Sequence, residues 1–168
     1  MAANGGGEKA FRFGIGWDAH PLVEGRPLVL GGVRIPHRRG LLGHSDADVL
    51  CHAVADALLG AMALGDIGTL FPDTDPRYEG ARSLDLLRRV AGMVREAGGE
   101  VTNIDAVIIA QEPRLAPHIP SMRRNIAEAV GLPEGAVSIK PKRPEGLGAL
   151  GRAEGIAAMA VVGVRVSL

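Results

Sequence analysis

Apolar residues recur at helical spacing in three stretches of the chain, with polar residues between them. A repeat of three to four residues places the apolar side chains on one face, so the pattern predicts amphipathic helices. The predicted helices cover residues 49–62, 83–98 and 117–130. Ser45 is the expected N-cap of the first helix, with Asp48 three residues later, a variant of the capping box. Helical spacing then places Asp48, His52 and Asp56 on the polar side of this helix.

Shorter stretches rich in β-branched and apolar residues predict strands around these helices. They cover residues 11–16, 28–35, 101–110, 137–140 and 156–166. Gly31 and Gly32 inside the second stretch indicate a bulge or the close approach of another backbone. Strands and helices alternate at first and two strands finish the chain, which predicts an α+β fold. We expect a two-layer sandwich in which helices cover one face of a mixed four-to-five-stranded sheet.

Length and composition limit the number of domains, the partners and the cellular compartment that we expect for this protein. Residues 11–168 of the 168-residue chain are predicted to form one domain, because no linker-like stretch interrupts the element pattern. Residues 1–10 are small, polar and glycine-rich, so we expect a disordered leader and not a signal peptide. The 19 basic and 19 acidic residues give no net charge, which argues against nucleic acid or a membrane as a partner. The single Cys51 can form no internal disulfide and no apolar run reaches membrane-spanning length, so we expect a cytoplasmic protein.

Asp18 and His20 form a D-x-H pair just after the first predicted strand. Side chains two residues apart on an extended segment point to the same side, so this pair is suited to one metal ion. A nitrogen ligand from the next helix would complete three ligands and leave one position open for substrate, as in catalytic zinc sites. On spacing alone, a metal site competes with an unrelated aspartate and histidine at the surface.

Two histidines, His44 and His52, are candidates for the third ligand. We favour His52, because a helix fixes its direction and Asp48 or Asp56, one turn away, is placed to orient its ring. His44 lies just before the predicted helix N-terminus, where free backbone N–H groups favour negative charge. We therefore expect His44 to meet an anionic group.

Three further segments carry polar groups without a decisive spacing. The loop with Asp66, Asp73 and Asp75 is either simply solvated or a holder of sugar-like hydroxyls. Residues 110–117 follow a predicted strand and offer their backbone to a flat base. A basic cluster beside a glycine-rich loop is either a solvated charge run or a phosphate-binding loop. That cluster consists of Lys140, Lys142, Arg143 and Arg152.

Several long segments together resemble one known family. They read GWDAH, GGVRIPHRRGLLGHSDADVLCHAVADALLGAMALGDIG, LFPDTDP, IIAQEPRLAPHIPSMR and GRAEGIAA. These segments are similar to those of the 2-C-methyl-D-erythritol 2,4-cyclodiphosphate synthases, enzymes of the non-mevalonate pathway to isoprenoids. The match runs in order from about residue 11 to near the end of the chain, and its motifs are highly specific.

The resemblance implies a homotrimer whose active sites lie between neighbouring subunits. It implies a metal-dependent lyase whose small-molecule substrate is 4-diphosphocytidyl-2-C-methyl-D-erythritol 2-phosphate. The products would be 2-C-methyl-D-erythritol 2,4-cyclodiphosphate and CMP. Asp18, His20 and His52 match the ligands of zinc or another divalent ion. Glu145 matches the acid that binds a second divalent ion, magnesium or manganese, at the substrate's diphosphate.

The resemblance also implies residues that act on the substrate. His44 and Arg143 match positions with a catalytic role, the stabilisation of charge in the transition state. Residues 110–116 match the segment that holds the cytidine and comes from the adjacent subunit. The substrate-binding residues implied are Asp18, Ala19, His20, His44, Ser45, Asp66, Ile67, Gly68, Phe71, Pro72, Asp73, Thr74, Asp75, Ala110, Gln111, Glu112, Pro113, Arg114, Leu115, Ala116, Lys142, Arg143, Pro144, Glu145, Ala149 and Arg152.

One segment departs from the family pattern. Where the family usually carries a threonine run before the acid, this chain has Lys142, Arg143 and Pro144. Cationic side chains bind phosphate by charge but are longer than threonine, so the loop must sit differently. The alternative to an active cyclase is therefore a metal-binding trimer of this fold with lost or altered activity, and a metal-dependent phosphohydrolase is a third possibility. Ala149 replaces a phenylalanine facing the trimer's central cavity, so isoprenoid binding there is expected to be altered.

Overall fold

The computed structural model describes residues 8–168, which are organised around a five-stranded mixed sheet. The strands of this sheet are β1 (Lys9–Glu24), β4 (Arg39–Leu41), β5 (Gly99–Ile109), β6 (Val137–Lys142) and β7 (Gly155–Ser167). Their order is β4-β1-β7-β5-β6, and only the β5–β6 pair is parallel. A separate hairpin is formed by β2 (Leu28–Leu30) and β3 (Val33–Ile35).

The helices pack on one face of the sheet and bury its apolar side chains. They are α1 (Val49–Ala61), α2 (Ile67–Leu70), α3 (Ser83–Glu96), α4 (Ile119–Val130) and α5 (Gly148–Gly151), with short 3-10 turns at Pro76–Tyr78, Ala116–His118 and Glu134–Ala136. Helix α1 lies across β1 and β7, and α3 and α4 complete the layer. The predicted α+β fold is thereby confirmed. In the described part of the chain, no helix has both the length and the apolar character needed to span a membrane.

Strand β1 is much longer than the predicted strand at 11–16. It pairs with β7 from Lys9 opposite Ser167 to Pro21 opposite Gly155, and this continuous ladder keeps the chain extended. Lys9 and Ala10, placed in the predicted leader, are thus strand residues, and residues 1–7 lie outside the described part. The extra length brings the D-x-H segment into the strand itself.

The predicted single strand at 28–35 is wrong, because the chain reverses at its centre. Gly31 and Gly32 have φ values of 56° and 69°, and β2 pairs antiparallel with β3 on either side of them. Two successive residues with positive φ form the tight hairpin turn whose twist matches that of the strands it joins. These glycines therefore make a turn, and the predicted bulge is wrong too.

The cap of α1 is Asp48, and the prediction of Ser45 is wrong. The Asp48 Oδ1 atom accepts hydrogen bonds from the backbone N–H of Leu50 at 3.2 Å and of Cys51 at 3.1 Å. Asp48 is also fully buried, so its expected place on the polar side of the helix is wrong. The helix accordingly begins where a buried carboxylate satisfies its free N–H groups.

The same carboxylate holds the glycine turn against the helix. The backbone N–H of Gly31 donates to Asp48 Oδ1 at 2.9 Å, and that of Gly32 donates to Oδ2 at 2.7 Å. Burial raises the pKa of Asp48, and these backbone hydrogen bonds act in the opposite direction. One side chain therefore ties the β2–β3 turn to the start of α1.

Two glycines let α1 lie directly on β1. A Cβ atom at Gly14 would lie 1.8 Å from the Ala57 carbonyl oxygen, and one at Gly16 would lie 2.0 Å from the Ala53 carbonyl oxygen. Both contacts are far below a van der Waals separation and involve backbone, which has little room to move. Glycine is therefore required at both positions.

We expect Asp48→Ala to lower the free energy of unfolding by about 3 kcal/mol or more, since each buried N–H left without a partner costs about 1–3 kcal/mol. Asp48→Asn should lose less, because one side-chain oxygen remains as an acceptor. Urea unfolding at a fixed protein concentration measures both. Asp85→Ala, at an exposed ion pair with Arg88, is the control and should change stability by about 0.5 kcal/mol or less. Equal stability of the Asp48→Ala and Asp85→Ala variants would contradict this assignment.

Candidate active site

Strand β1 and helix α1 bring three predicted metal ligands together. Asp18 and His20 lie on β1 opposite Ala158 and Ile156 of β7, two residues apart and on the same side. The Asp18 Oδ2 atom is 3.2 Å from His20 Nε2 and 2.9 Å from His52 Nδ1. One ligand atom from each of the three residues lies within 4.8 Å of the others. We call Asp18, His20 and His52 the metal triad.

The donor set of the metal triad suits a divalent ion. It combines one carboxylate oxygen with two imidazole nitrogens, which are ligands that zinc accepts in proteins. The three residues are at least partly buried, so an ion there would be shielded from solvent on one side. Three protein ligands also leave a position for a substrate oxygen, which is typical of catalytic sites.

The two histidines keep the Asp18 carboxylate ionised. Burial acts to raise the pKa of Asp18, but hydrogen bonds from His20 and His52 outweigh it and hold that pKa well below its ordinary value. The hydrogen bond to Asp18 raises the pKa of His20. The Asp18 carboxylate is therefore anionic across the physiological pH range.

The rings of both histidines are held by groups outside the triad. The His20 Nδ1 atom lies 2.7 Å from the Leu42 carbonyl oxygen, and because a carbonyl only accepts, Nδ1 carries the proton there. The opposite nitrogen, Nε2, then faces Asp18. The His52 Nε2 atom lies 2.8 Å from the Ser83 hydroxyl at the first position of α3.

The predicted partners of His52 are wrong. Asp48 is occupied by backbone N–H groups, and Asp56 accepts a hydrogen bond from the Ile67 N–H at 2.8 Å. Ser83 takes the place expected for these acids, and nothing in the sequence distinguishes it from an ordinary helix-starting serine. Sequence reasoning also missed Arg26, which donates to the Ser45 carbonyl oxygen at 2.8 Å and supports the segment before α1.

A cavity of about 420 Å³ opens over the metal triad. His44 and Ser45, for which a contact with the substrate's phosphate is expected from the sequence, line this cavity. The His44 Nε2 atom lies 3.3 Å from the Asp75 carbonyl oxygen, which links this histidine to the acidic loop. Further lining residues are Gly43, Ile67, Gly68, Phe71, Asp73 and Tyr78.

The acidic loop is more internally bonded than its sequence indicates. Asp66 caps α2 by accepting from the Thr69 N–H at 2.8 Å, and Asp75 pairs with Arg77 at 2.6 Å. The Arg77 hydrogen bonds hold the pKa of Asp75 below its ordinary value. Asp73 is the exposed acid that lines the cavity. Within the described residues, the cavity lining does not include Ala19, Asp66, Pro72, Thr74 or Asp75.

A second cavity, of about 430 Å³, lies beside the end of β5. It is lined by all of residues 110–116 together with Pro141, Lys142 and Arg143. Glu112 in this segment accepts a hydrogen bond from Arg39 at 2.8 Å, which lowers the pKa of Glu112. The structure thus joins the predicted base-holding segment to two of the predicted phosphate-binding cations. We call this the 110–116 cavity.

The two cavities share no lining residue within one chain. Pro144, Glu145, Ala149 and Arg152 line neither of them in the described structure. Glu145 is exposed at a backbone φ of 52°, and the neighbouring Gly146 N–H donates to the Gln111 side chain at 3.2 Å. A single chain therefore does not assemble all the predicted substrate-binding residues in one place.

The chain is similar to known proteins over nearly its full length. The family model described as YgbB family matches residues 11–165. A 2-C-methyl-D-erythritol 2,4-cyclodiphosphate synthase of Alkaliphilus metalliredigens (strain QYMF) is 61% identical over 157 residues, which cover 94% of this chain and 99% of the relative.

Solved structures extend the similarity to the fold. A 2-C-methyl-D-erythritol 2,4-cyclodiphosphate synthase in a CDP-bound form has a TM-score of 0.84 and 42% identity, covering 91% of this chain and 99% of that chain. The bifunctional IspDF of Campylobacter jejuni has a TM-score of 0.91 and 43% identity over 95% of this chain, which spans 43% of that protein. On the family match and the 61% identity, the chain belongs to the YgbB family, the family of the 2-C-methyl-D-erythritol 2,4-cyclodiphosphate synthases.

Proposed function

We propose that this chain catalyses the cyclisation that names its relatives. The 2-phosphate of 4-diphosphocytidyl-2-C-methyl-D-erythritol 2-phosphate attacks the β-phosphorus of the same molecule, and the bond from that phosphorus to the CMP oxygen breaks. The products are 2-C-methyl-D-erythritol 2,4-cyclodiphosphate and CMP. The observation that carries the proposal is the meeting of Asp18, His20 and His52 beneath a cavity that His44 and Ser45 line.

The reaction has two barriers: the substrate must fold back on itself, and its two anionic phosphate groups must come together. Residues of the chain can lower both. Positioning and charge neutralisation supply most of the catalysis in phosphoryl transfer, and the attacking phosphate is already ionised and needs no general base. His44 and Ser45 line the cavity where the phosphates would gather. In this proposal His44 stabilises the charge that develops during the transfer.

The metal triad is proposed to hold zinc, whose preferences its carboxylate and two imidazoles satisfy. A zinc ion supplies Lewis-acid polarisation of a phosphoryl oxygen when it is bound. Asp18 contributes the negative charge, while His20 and His52 contribute neutral nitrogen ligands from a strand and a helix. We assign a second divalent ion, magnesium or manganese, to Glu145, whose exposed carboxylate is accessible to a substrate-bound ion.

The 110–116 cavity is proposed to bind the cytidine part of the substrate. The support is its lining, which includes Pro113, Pro141, Ala110 and Ala116 together with two cations, and the CDP-bound form of the related synthase. Lys142 and Arg143 line the same cavity, so their charges are well placed to bind the nucleotide phosphates that threonines bind elsewhere in the family. The alternative of a trimer with lost activity gains no support, since the relatives described above are synthases.

We propose a homotrimer formed through the uncovered face of the sheet. Four successive outward-facing residues of β1 are apolar and exposed: Phe11, Phe13 (72% exposed), Ile15 and Trp17 (57% exposed). Met159 and Val161 of β7 extend the same patch. Contiguous exposed apolar surface of this kind marks an interaction site. A neighbouring chain would also bring its 110–116 cavity to the metal triad, which one chain does not do.

Turnover is tested by a phosphorus NMR time course with the diphosphocytidyl substrate, zinc and magnesium. We expect the cyclic diphosphate and CMP to appear in equal amounts. A linear product with CMP would indicate a hydrolase, and no reaction in a metal-loaded trimer would contradict the proposal.

The double variant Lys142→Thr, Arg143→Thr should lose about tenfold or more in kcat/KM, because hydrogen bonds to charged groups contribute about 1.5–3 kcal/mol each.

The control for the double variant is Lys140→Thr on the same strand. Lys140 pairs with the exposed Asp105 outside the 110–116 cavity. An exposed pair of this kind contributes little, so we expect kcat/KM to change by about twofold or less. Equal losses in the control and the double variant would show that Lys142 and Arg143 have no specific role.

We expect His52→Ala to lose bound zinc and activity together, because two remaining ligands hold the ion weakly. Metal content after dialysis and the cyclisation rate measure the two effects. Asp56→Ala is the matched control, one turn along α1 and hydrogen-bonded to backbone. Stoichiometric zinc in the His52→Ala variant would rule out this ligand assignment.

We expect Phe13→Glu to yield a folded monomer without activity, because a carboxylate would be buried at the proposed trimer interface without a partner. Light scattering after size-exclusion chromatography gives the mass, and circular dichroism checks the fold. Gly92→Glu, on α3 in the helical layer that covers the opposite face of the sheet, is the control and should remain trimeric. A Phe13→Glu variant that is still trimeric would place the interface elsewhere.

A further inference from the structure

A partly buried chain of hydrogen bonds leads from the metal triad to a carboxylate outside it. The His52 Nε2 atom lies 2.8 Å from Ser83 Oγ, and Ser83 Oγ lies 2.5 Å from Asp46 Oδ1. Ser83 is only 1% exposed, so its hydroxyl is satisfied by these protein partners. The mechanism proposed above assigns no role to Ser83 or Asp46.

The donors and acceptors in this chain can be ordered from the carboxylate end. Asp46 accepts from the Ser83 backbone N–H with both carboxylate oxygens at 3.2 Å, and from the Asp48 N–H at 3.4 Å. Both Asp46 oxygens already act as acceptors, and Oδ1 is also the atom 2.5 Å from Ser83 Oγ, so the Ser83 hydroxyl proton points to Asp46. The Ser83 oxygen is then an acceptor toward His52, and the proton between them belongs to His52 Nε2.

The hydrogen bond at Nε2 leaves Nδ1 as the nitrogen of His52 that can bind a metal ion. Without a metal ion, Nδ1 donates a hydrogen bond to the Asp18 carboxylate, so its lone pair would be offered only when a metal ion takes the place of that proton. Nδ1 is the nitrogen that lies 2.9 Å from Asp18 and faces the rest of the metal triad. The orientation of the His52 ring, and with it the nitrogen presented to a metal ion, is thus supported by a side chain outside the triad.

Ser45 is a weaker candidate for the same role. Its hydroxyl oxygen lies 3.3 Å from His52 Nε2, which is longer than the contact from Ser83, and it already accepts from the Ala47 N–H at 3.1 Å. Ser83 also starts α3 and its backbone is fixed to Asp46. The geometry therefore favours Ser83 as the residue that orients the ring.

We propose that Ser83, oriented by Asp46, is a positioning residue that keeps the proton of His52 on Nε2 and leaves Nδ1 as the metal-binding nitrogen. The inference rests on the metal site of the proposed function. Groups that accept the second N–H of a metal-bound histidine fix its tautomer, and their loss typically weakens metal binding. Ser83 thereby takes the role that a carboxylate or carbonyl usually has, and the carboxylate of Asp46 acts through it.

The test is the apparent Kd for zinc alone, measured on the full chain by competition with a chelating indicator. Ser83→Ala removes the hydroxyl while keeping the backbone hydrogen bond to Asp46. We expect its Kd for zinc to rise by about 10- to 100-fold. Ser45→Ala should change the Kd by about threefold or less, because a 3.3 Å contact is a weak hydrogen bond. Asp46→Asn keeps the shape of the side chain and removes its charge; it is the second variant if Ser83→Ala does not fold, and its Kd for zinc should also rise.

Nitrogen NMR of the zinc-loaded wild type gives a readout that a merely structural role would not move. We expect His52 to show a metal-bound Nδ1 and a slowly exchanging proton on Nε2, and Ser83→Ala to lose the slow exchange. A metal bound through Nε2 would overturn the inference. An unchanged zinc Kd in Ser83→Ala, even with a lower melting temperature, would also overturn it. Failure of the wild type to bind zinc would instead reject the proposed metal site itself.

Discussion

The buried carboxylate of Asp48 is the constraint on which the candidate site depends. It satisfies the backbone N–H groups of the β2–β3 turn and of the first turn of α1 at once, so the two elements have a fixed relation. The N–H of His52 donates to the Asp48 carbonyl oxygen at 3.0 Å, one turn into the helix. The position of the third triad residue therefore follows from a hydrogen-bonded cap in the core, and its chemistry follows from the groups around its ring.

The side chains of the site are positioned by three different backbone elements: a strand, a helix and the first residue of a second helix. The strand β1 aligns Asp18 and His20 by its alternation, and the helix supplies a nitrogen from a direction that the strand cannot reach. The start of α3 supplies a hydroxyl to the far side of the imidazole. The 110–116 cavity stands apart from these groups in one chain, so an assembly of chains offers a simple physical way to complete the site.

The sequence predicted the features that depend on local periodicity and missed those that depend on tertiary contacts. The spacing of Asp18 and His20 and the helical position of His52 suggested a shared site, and the family resemblance decided in its favour. Choosing between Ser45 and Asp48 as the cap required knowing that the glycine turn would pack on the helix. Ser83 is 31 residues from His52 along the chain, and no pattern connects them. The use of the 110–116 segment came from the family resemblance alone.

The backbone contact at Gly14 and Gly16 has a consequence for how the site tolerates change elsewhere. Side chains normally separate a helix from a sheet, and substitutions among them shift the two layers by fractions of an ångström. Here the carbonyl oxygens of α1 lie against the bare Cα atoms of β1, directly beneath the strand segment that continues to Asp18. The spacing between strand and helix is thus set by the peptide units themselves. Core residues farther away can vary in volume without changing the distance from the carboxylate to the helical imidazole.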